Sequence, residues 1–105
     1  MKTLQEAIDS LPKSSWAAVR DFLIERHITG YPRTPCDCPI SNYLNRETVK
    51  NFSVTGTILG GGTYFVYRTG DIDFHVQAVL PRAVYEFICA FDRDDPSTRP
   101  LRKLF

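Results

Sequence analysis

The sequence predicts an α+β domain: N-terminal helices, a three-stranded antiparallel sheet, and a C-terminal helix packed on the sheet. Three observations carry this reading. Between Phe52 and Ala78, short runs rich in aromatic and β-branched residues are separated by glycine-containing turns, the pattern of hairpin-linked strands. Before them, apolar residues recur at helical spacing. After them, Pro81 opens a segment whose Val84, Phe87, Ile88 and Phe91 make one helical stripe. Helices gathered at both ends of a hairpin-linked sheet argue against a parallel doubly wound fold.

The elements follow in order. Thr3-Leu4-Gln5-Glu6 fits a capping box, with Leu4, Ala7, Ile8 and Leu11 at helical spacing and Pro12 as the stop. Ser14 or Ser15 caps a second helix running through His27. Trp16, Val19, Phe22 and Leu23 share its apolar face, Arg20, Asp21 and Glu25 lie away from it, and Gly30 is its C-terminal stop. Pro32, Pro35 and Pro39 restrict an extended, ordered loop, and Pro39 suits the first position of a third helix. Ile40, Tyr43 and Leu44 face inward on that helix, which ends near Arg46.

In the first strand Phe52, Val54 and Ile58 alternate with Ser53, Thr55 and Thr57, and Gly56 invites a bulge. Gly60-Gly61-Gly62 is a turn before the strand-favouring run Tyr64-Phe65-Val66-Tyr67. Thr69-Gly70 turns the chain again. The third strand then places Ile72, Phe74, Val76 and Ala78 on one face, with Asp71, Asp73, His75 and Gln77 on the other. Asp94-Asp95-Pro96-Ser97 ends the last helix. The tail from Arg99 to Phe105 is loose or packs through Leu101, Leu104 and Phe105.

At 105 residues the chain reads as a single domain over 1–105. Within it, 1–30 is a helical arm, 31–39 a Pro/Cys loop, 40–92 a helix-sheet-helix core and 93–105 a tail. A net charge of +1 provides no broad field to draw in nucleic acid or an anionic membrane. No apolar run approaches the roughly 20 residues of a membrane span. The first residues fit a helix and not a signal peptide. Three cysteines without a secretory signal read as reduced thiols in a cytoplasm.

Leu59-Gly60-Gly61 followed by Asp71-Ile72-Asp73-Phe74 resembles the motif of nucleotidyltransferases, whose Asp-x-Asp carboxylates hold Mg²⁺ against a nucleotide's phosphates. That resemblance implies Mg-dependent nucleotide chemistry at Asp71 and Asp73. The chain departs from the motif in two ways: a strand replaces the helix between glycines and carboxylates, and no third carboxylate follows on a later strand. The competing reading is the solvated face of an amphipathic strand.

Cys36-Asp37-Cys38 raises zinc, with Cys36 and Cys38 as candidate ligands, although paired zinc cysteines usually stand two or more residues apart. The alternative is that Asp37 or Cys38 caps the third helix while Cys36 packs in the loop. A Cys-His-Asp hydrolase from Cys36 or Cys38 with His75 and Asp73 needs a thiol whose pKa is depressed at a helix start. Arg93, Arg99, Arg102 and Lys103 make a basic tail, diluted by Asp92, Asp94 and Asp95, so a nucleic-acid module is possible but not favoured.

The segment Pro35 to Leu44, with the later Leu80-Pro81-Arg82-Ala83-Val84 leading to Phe91-Asp92, resembles short uncharacterised proteins of actinobacteria and their phages. It implies a bacterial or phage accessory protein and brings no activity with it.

The leading expectation is therefore a small non-enzymatic protein-interaction module with no cofactor and no catalytic residue. Its partner is another protein, and a homodimer is possible. The residues expected to make the contact are Tyr64, Tyr67, Asp71, Asp73 and His75, as an exposed aromatic-acidic patch.

Overall fold

A computed structural model describes residues 1–48, 51–56, 64–73 and 75–103. The order is α1 (Leu4–Asp9), α2 (Trp16–Glu25), α3 (Pro39–Glu47), β1 (Phe52–Gly56), β2 (Tyr64–Arg68), β3 (Val76–Val79) and α4 (Arg82–Asp92), closed by a 3-10 turn over Pro96–Leu101. The fold is α+β, with one antiparallel sheet in the order β1-β2-β3.

Each early helix begins on a side-chain cap. The Glu6 amide donates to Thr3 Oγ1 at 3.2 Å, and the Thr3 amide returns a bond to Glu6 Oε1 at 3.0 Å. The Ala18 amide donates to Ser15 Oγ at 3.1 Å. Cys38 caps α3: its thiol sulfur accepts from the Ser41 amide, and the Cys38 amide donates to Ser41 Oγ at 3.1 Å. These caps satisfy first-turn amides that have no partner inside the helix.

The helix ends correct one expectation. α2 stops at Glu25, short of His27, and Gly30 is not its stop. His27 turns into the left-handed region with φ of 56°, so that the His27 amide reaches Ile24 O and the Ile28 amide reaches Leu23 O. That is a Schellman closure built on histidine. Asp94, with φ of 62°, closes α4 the same way, through Asp94 N to Phe91 O and Asp95 N to Ala90 O. Gly30 instead sits where the chain crosses itself. Its amide donates to Leu101 O at 2.8 Å and its carbonyl accepts from the Lys103 amide at 3.1 Å.

β1 and β2 pair without interruption from Phe52↔Arg68 to Gly56↔Tyr64, so Gly56 makes no bulge against β2. The irregularity lies between β2 and β3, where Val66↔Ala78 is followed by Tyr67↔Val76 and Gln77 is the extra residue. The calls on Ile58, on the Gly60-Gly61-Gly62 turn and on Phe74 lie outside the described residues, as do Leu104 and Phe105 of the tail. The outer edge of β1 is engaged by the proline loop, whose Pro35 carbonyl accepts from the Val54 amide at 2.9 Å.

One apolar cluster joins residues from Ala7 to Leu101, drawing on helices, strands and tail. Phe52, Val54 and Val66 contribute the inner face of the sheet, and Val84, Phe87, Ile88 and Phe91 the stripe of α4. α2 packs on α4, α1 on α3, and α3 on β1. Leu101 and Thr98 are fully buried, so the segment after α4 is part of this core. The radius of gyration of 12.6 Å matches the roughly 13 Å expected of one compact body this long. Among the described residues, no helix is long and apolar enough to cross a membrane.

Candidate interaction surface at the third strand

The approach to β3 is a turn, not a strand. Gly70 takes φ of +86°, and the Asp71 amide donates back to Arg68 O. Asp71 Oδ1 then accepts from the Asp73 amide at 3.0 Å. Its Oδ2 accepts from the His75 amide at 3.1 Å and lies 3.0 Å from His75 Nδ1. A carboxylate that satisfies amides two and four residues onward holds the chain in a local loop, against extended pairing. The expected alternation of Asp71, Asp73, His75 and Gln77 on one strand face is therefore corrected: β3 begins only at Val76. The turn still gathers Asp71, Asp73 and His75, whose ligand-type atoms all lie within 4.8 Å of one another.

Burial pushes the Asp71 carboxyl up, but the amides of His75 and Asp73 and the His75 ring outweigh it and hold it below the usual aspartate value. A depressed folded value means the turn's contribution to stability is present above the unfolded pKa and fades as pH falls through the folded one. An NMR titration is expected to show the Asp73 and His75 amide signals moving together with a midpoint below that of a free aspartate. An ordinary midpoint, or amide shifts that ignore the Asp71 carboxyl, would count against this description. Asp71→Asn is expected to abolish the transition.

The aromatic half of the expected patch is corrected. Tyr67 is only 7% exposed, so it is not an exposed anchor. Tyr64 is half-buried, with its ring 5.4 Å from that of Tyr85. Burial, aided by Cys89 and Asp92, pushes its hydroxyl up to about 12. The apolar exposure lies instead on Ile72 (85%), Val76 (49%) and Val79 (55%), all on β3 or its approach. For Val76 the bulge is the reason: one extra residue shifts the pleat and sets it opposite Tyr67, off the half-buried face of Ala78 where plain alternation would have placed it. The sequence did carry a signal. No charged residue stands between His75 and Arg82, the mark of a strand edge without the usual protection.

Among the described residues, the backbone of that edge is also open. The Leu80 amide donates to Tyr64 O at 3.0 Å. In an antiparallel ladder the bonded residues alternate, so the amide and carbonyl of Val79 point away from β2. α1 and α2 pack on other helices, and neither lies extensively against a strand.

A second concave region of about 160 Å³ lies between the proline loop, the sheet and α4, lined among others by Arg33, Cys38, Tyr64 and Asp92. The Arg33 amide donates to Asp92 Oδ1 at 2.8 Å, and the Arg33 guanidinium to Asp92 O at 2.5 Å. Burial raises the Asp92 carboxyl, while the Arg33 amide and the charges of Arg33 and Arg102 pull it down. Sequence reading missed this pair, because nothing local links two residues 59 apart.

The Cys38 thiol is 4% exposed, and its pKa is raised by burial against the opposing bonds from Ser41. A depressed, nucleophilic thiol at this helix start is thus corrected: burial outweighs the favourable amides. Cys36, expected to pack in the loop, is exposed. Among the described residues, the one group of three or more metal-type donors is Asp71, Asp73 and His75, and neither Cys36 nor Cys38 belongs to it.

No family model, curated protein or solved structure matches this chain.

Proposed function

We propose that this chain is a small non-enzymatic interaction module, an accessory protein of bacterial or phage origin that acts in the cytoplasm on another protein. The observation that carries the reading is the exposed apolar run at the third strand: Ile72, Val76 and Val79 beside an open strand edge. Exposed apolar residues next to unpaired backbone favour a partner that adds its own strand, with main-chain bonds for affinity and side chains for selection. Asp71, Asp73 and His75 flank this run and orient what docks. The three thiols are unpaired, which agrees with a reducing compartment.

The test compares proteins captured from bacterial lysate by the wild-type chain and by Val79→Lys. The captured set is expected to shrink for the variant. An identical set would remove β3 as the contact surface.

One distance favours a second reading, a divalent cation held by Asp71, Asp73 and His75, with a nucleotide's phosphates as its further ligands. The 4.8 Å cluster is of ligating size, and an imidazole among two carboxylates suits Mn²⁺ better than Mg²⁺. Calorimetry with Mn²⁺ or Mg²⁺, alone and with a nucleotide, decides it. This reading expects heat that Asp73→Asn removes, and no heat at millimolar ligand ends it.

A further inference from the structure

We propose that the partner taken by β3 is a second copy of this chain, paired antiparallel edge to edge about a two-fold axis near Gln77 and Ala78. This rests on the reading of β3 as the contact surface and names its occupant.

The two edges of the sheet are treated differently by the fold. β1 has the Pro35 carbonyl bonded to its Val54 amide. Among the described residues β3 has no such cover: the Val79 amide and carbonyl point outward, and its four residues Val76-Gln77-Ala78-Val79 carry no charge to repel an identical strand. Antiparallel self-pairing is the closed arrangement for such an edge, because a two-fold axis uses the same patch twice and leaves nothing to propagate.

Charge decides between a copy and an unrelated strand. Antiparallel pairing sets the start of one β3 against the end of the other. The start carries Asp71 and the exposed Asp73. The end carries Arg82, whose side chain is 72% exposed and reaches Glu86 at 3.4 Å within its own helix, an exposed pair that leaves it open to a second carboxylate. Antiparallel pairing about this axis brings the turn that carries Asp73 of one copy toward the Arg82 end of its mate, and this happens at both ends of the pair. The same step brings the acidic turn to the first turn of the mate's α4. That helix begins at Pro81 with no side-chain cap and no acidic residue in its first turn. An acidic group arriving from outside supplies what the local sequence omits, carboxylate beside uncapped amides at the positive end of the helix. The edge is short, so the association is weak and concentration-dependent, as small interfaces are.

The experiment is sedimentation velocity on the full chain across a concentration series up to the millimolar range. Wild type is expected to shift from monomer to dimer as concentration rises. Val79→Lys, at an exposed site that leaves the core intact, is expected to stay monomeric with unchanged circular dichroism. Asp73→Arg and Arg82→Glu are each expected to weaken dimerisation by roughly three- to tenfold, because two exposed attractions become two repulsions. Mixed together, these two variants are expected to recover wild-type association as a heterodimer, since Arg at 73 in one chain then faces Glu at 82 in the other at one end and the native pair is restored at the other. Wild type that remains monomeric throughout, dimerisation that survives Val79→Lys, or a mixture no tighter than its parts overturns the proposal. If wild type is monomeric yet lysate capture still depends on Val79, the self-pairing fails while the interaction reading stands. If both are lost, both fail.

Discussion

Gly30→Ala is expected to destabilise the fold by about 3 kcal/mol or more, the upper range for forcing extra atoms into a packed region. A Cβ at Gly30 would stand 2.6 Å from Pro39 N, 2.7 Å from Asp37 O and 2.7 Å from the Cys38 carbonyl carbon. All three are backbone atoms, and none can rotate aside. The same residue bonds Leu101 O through its amide and the Lys103 amide through its carbonyl, so moving it pulls the tail away from the proline loop. A domain of this size is stable by about 5 to 15 kcal/mol, so the loss is a large fraction of the total. Urea unfolding checks it, and a loss under about 1 kcal/mol would show that the crossing is looser than described. Gly70→Ala is the contrasting control. Gly70 has φ of +86° and open space where the Cβ would go, so its cost is backbone strain alone, about 1 to 2 kcal/mol. One glycine is required for room and the other for its dihedral angle.

Phe87→Ala is expected to cost about 3 to 5 kcal/mol. Phe87 is fully buried at the centre of the α4 stripe, with its ring stacked 6.1 Å from that of Phe91. α4 packs on α2 and shares one apolar cluster with the inner residues of β1 and β2, so a hole there loosens contacts to both. The loss combines the ring's transfer free energy with the cavity left behind, because neighbours anchored on two elements close in only partly. Thermal unfolding is expected to fall by more than about 10 °C on the usual scaling for a small domain. Ile72→Ala, at an 85% exposed position, is expected to change stability by less than about 0.5 kcal/mol. Equal effects at the two positions would mean that α4 does not organise the core.

The Thr3 capping box, the Val84 to Phe91 stripe and the shared inner face of Phe52 and Val54 were legible because each is a local pattern. Three or four residues in a row state the period, and the period states the face. The end of α2 was not legible. Glycine is the usual left-handed closer, and Gly30 stood near enough to be assigned that role, yet His27 does the work because Ile28 must turn back over Leu23 and into the core. The start of β3 failed for a related reason. Asp71, Asp73, His75 and Gln77 alternate perfectly in sequence. Alternation alone cannot show that the first of them bonds the amides of the next two, which bends the chain before a ladder can form.

At the candidate surface, Asp71, Asp73 and His75 were found by their alternation and the Asp-x-Asp spacing, and they do come together, in a turn. Tyr64 and Tyr67 were chosen because β2 carries aromatics on both faces, and burial removed Tyr67 from solvent. Val76 took their place through one extra residue in β3, and Val79 through plain alternation opposite Phe65. A bulge has no sequence signature of its own here, since Gly56 was the better candidate and pairs regularly.

By itself, the order of residues determined the class of fold, the helix starts and the inner face of β1, because caps and apolar periods act over a few neighbours. Only the tertiary structure decided which edge of the sheet is covered, which side chains of β3 meet water, and why Gly30 cannot be larger. Those outcomes depend on Pro35 meeting Val54, on the register of β3 against β2, and on the tail returning past residue 30. Such contacts between distant segments are fixed by packing, and a local window of sequence does not contain them.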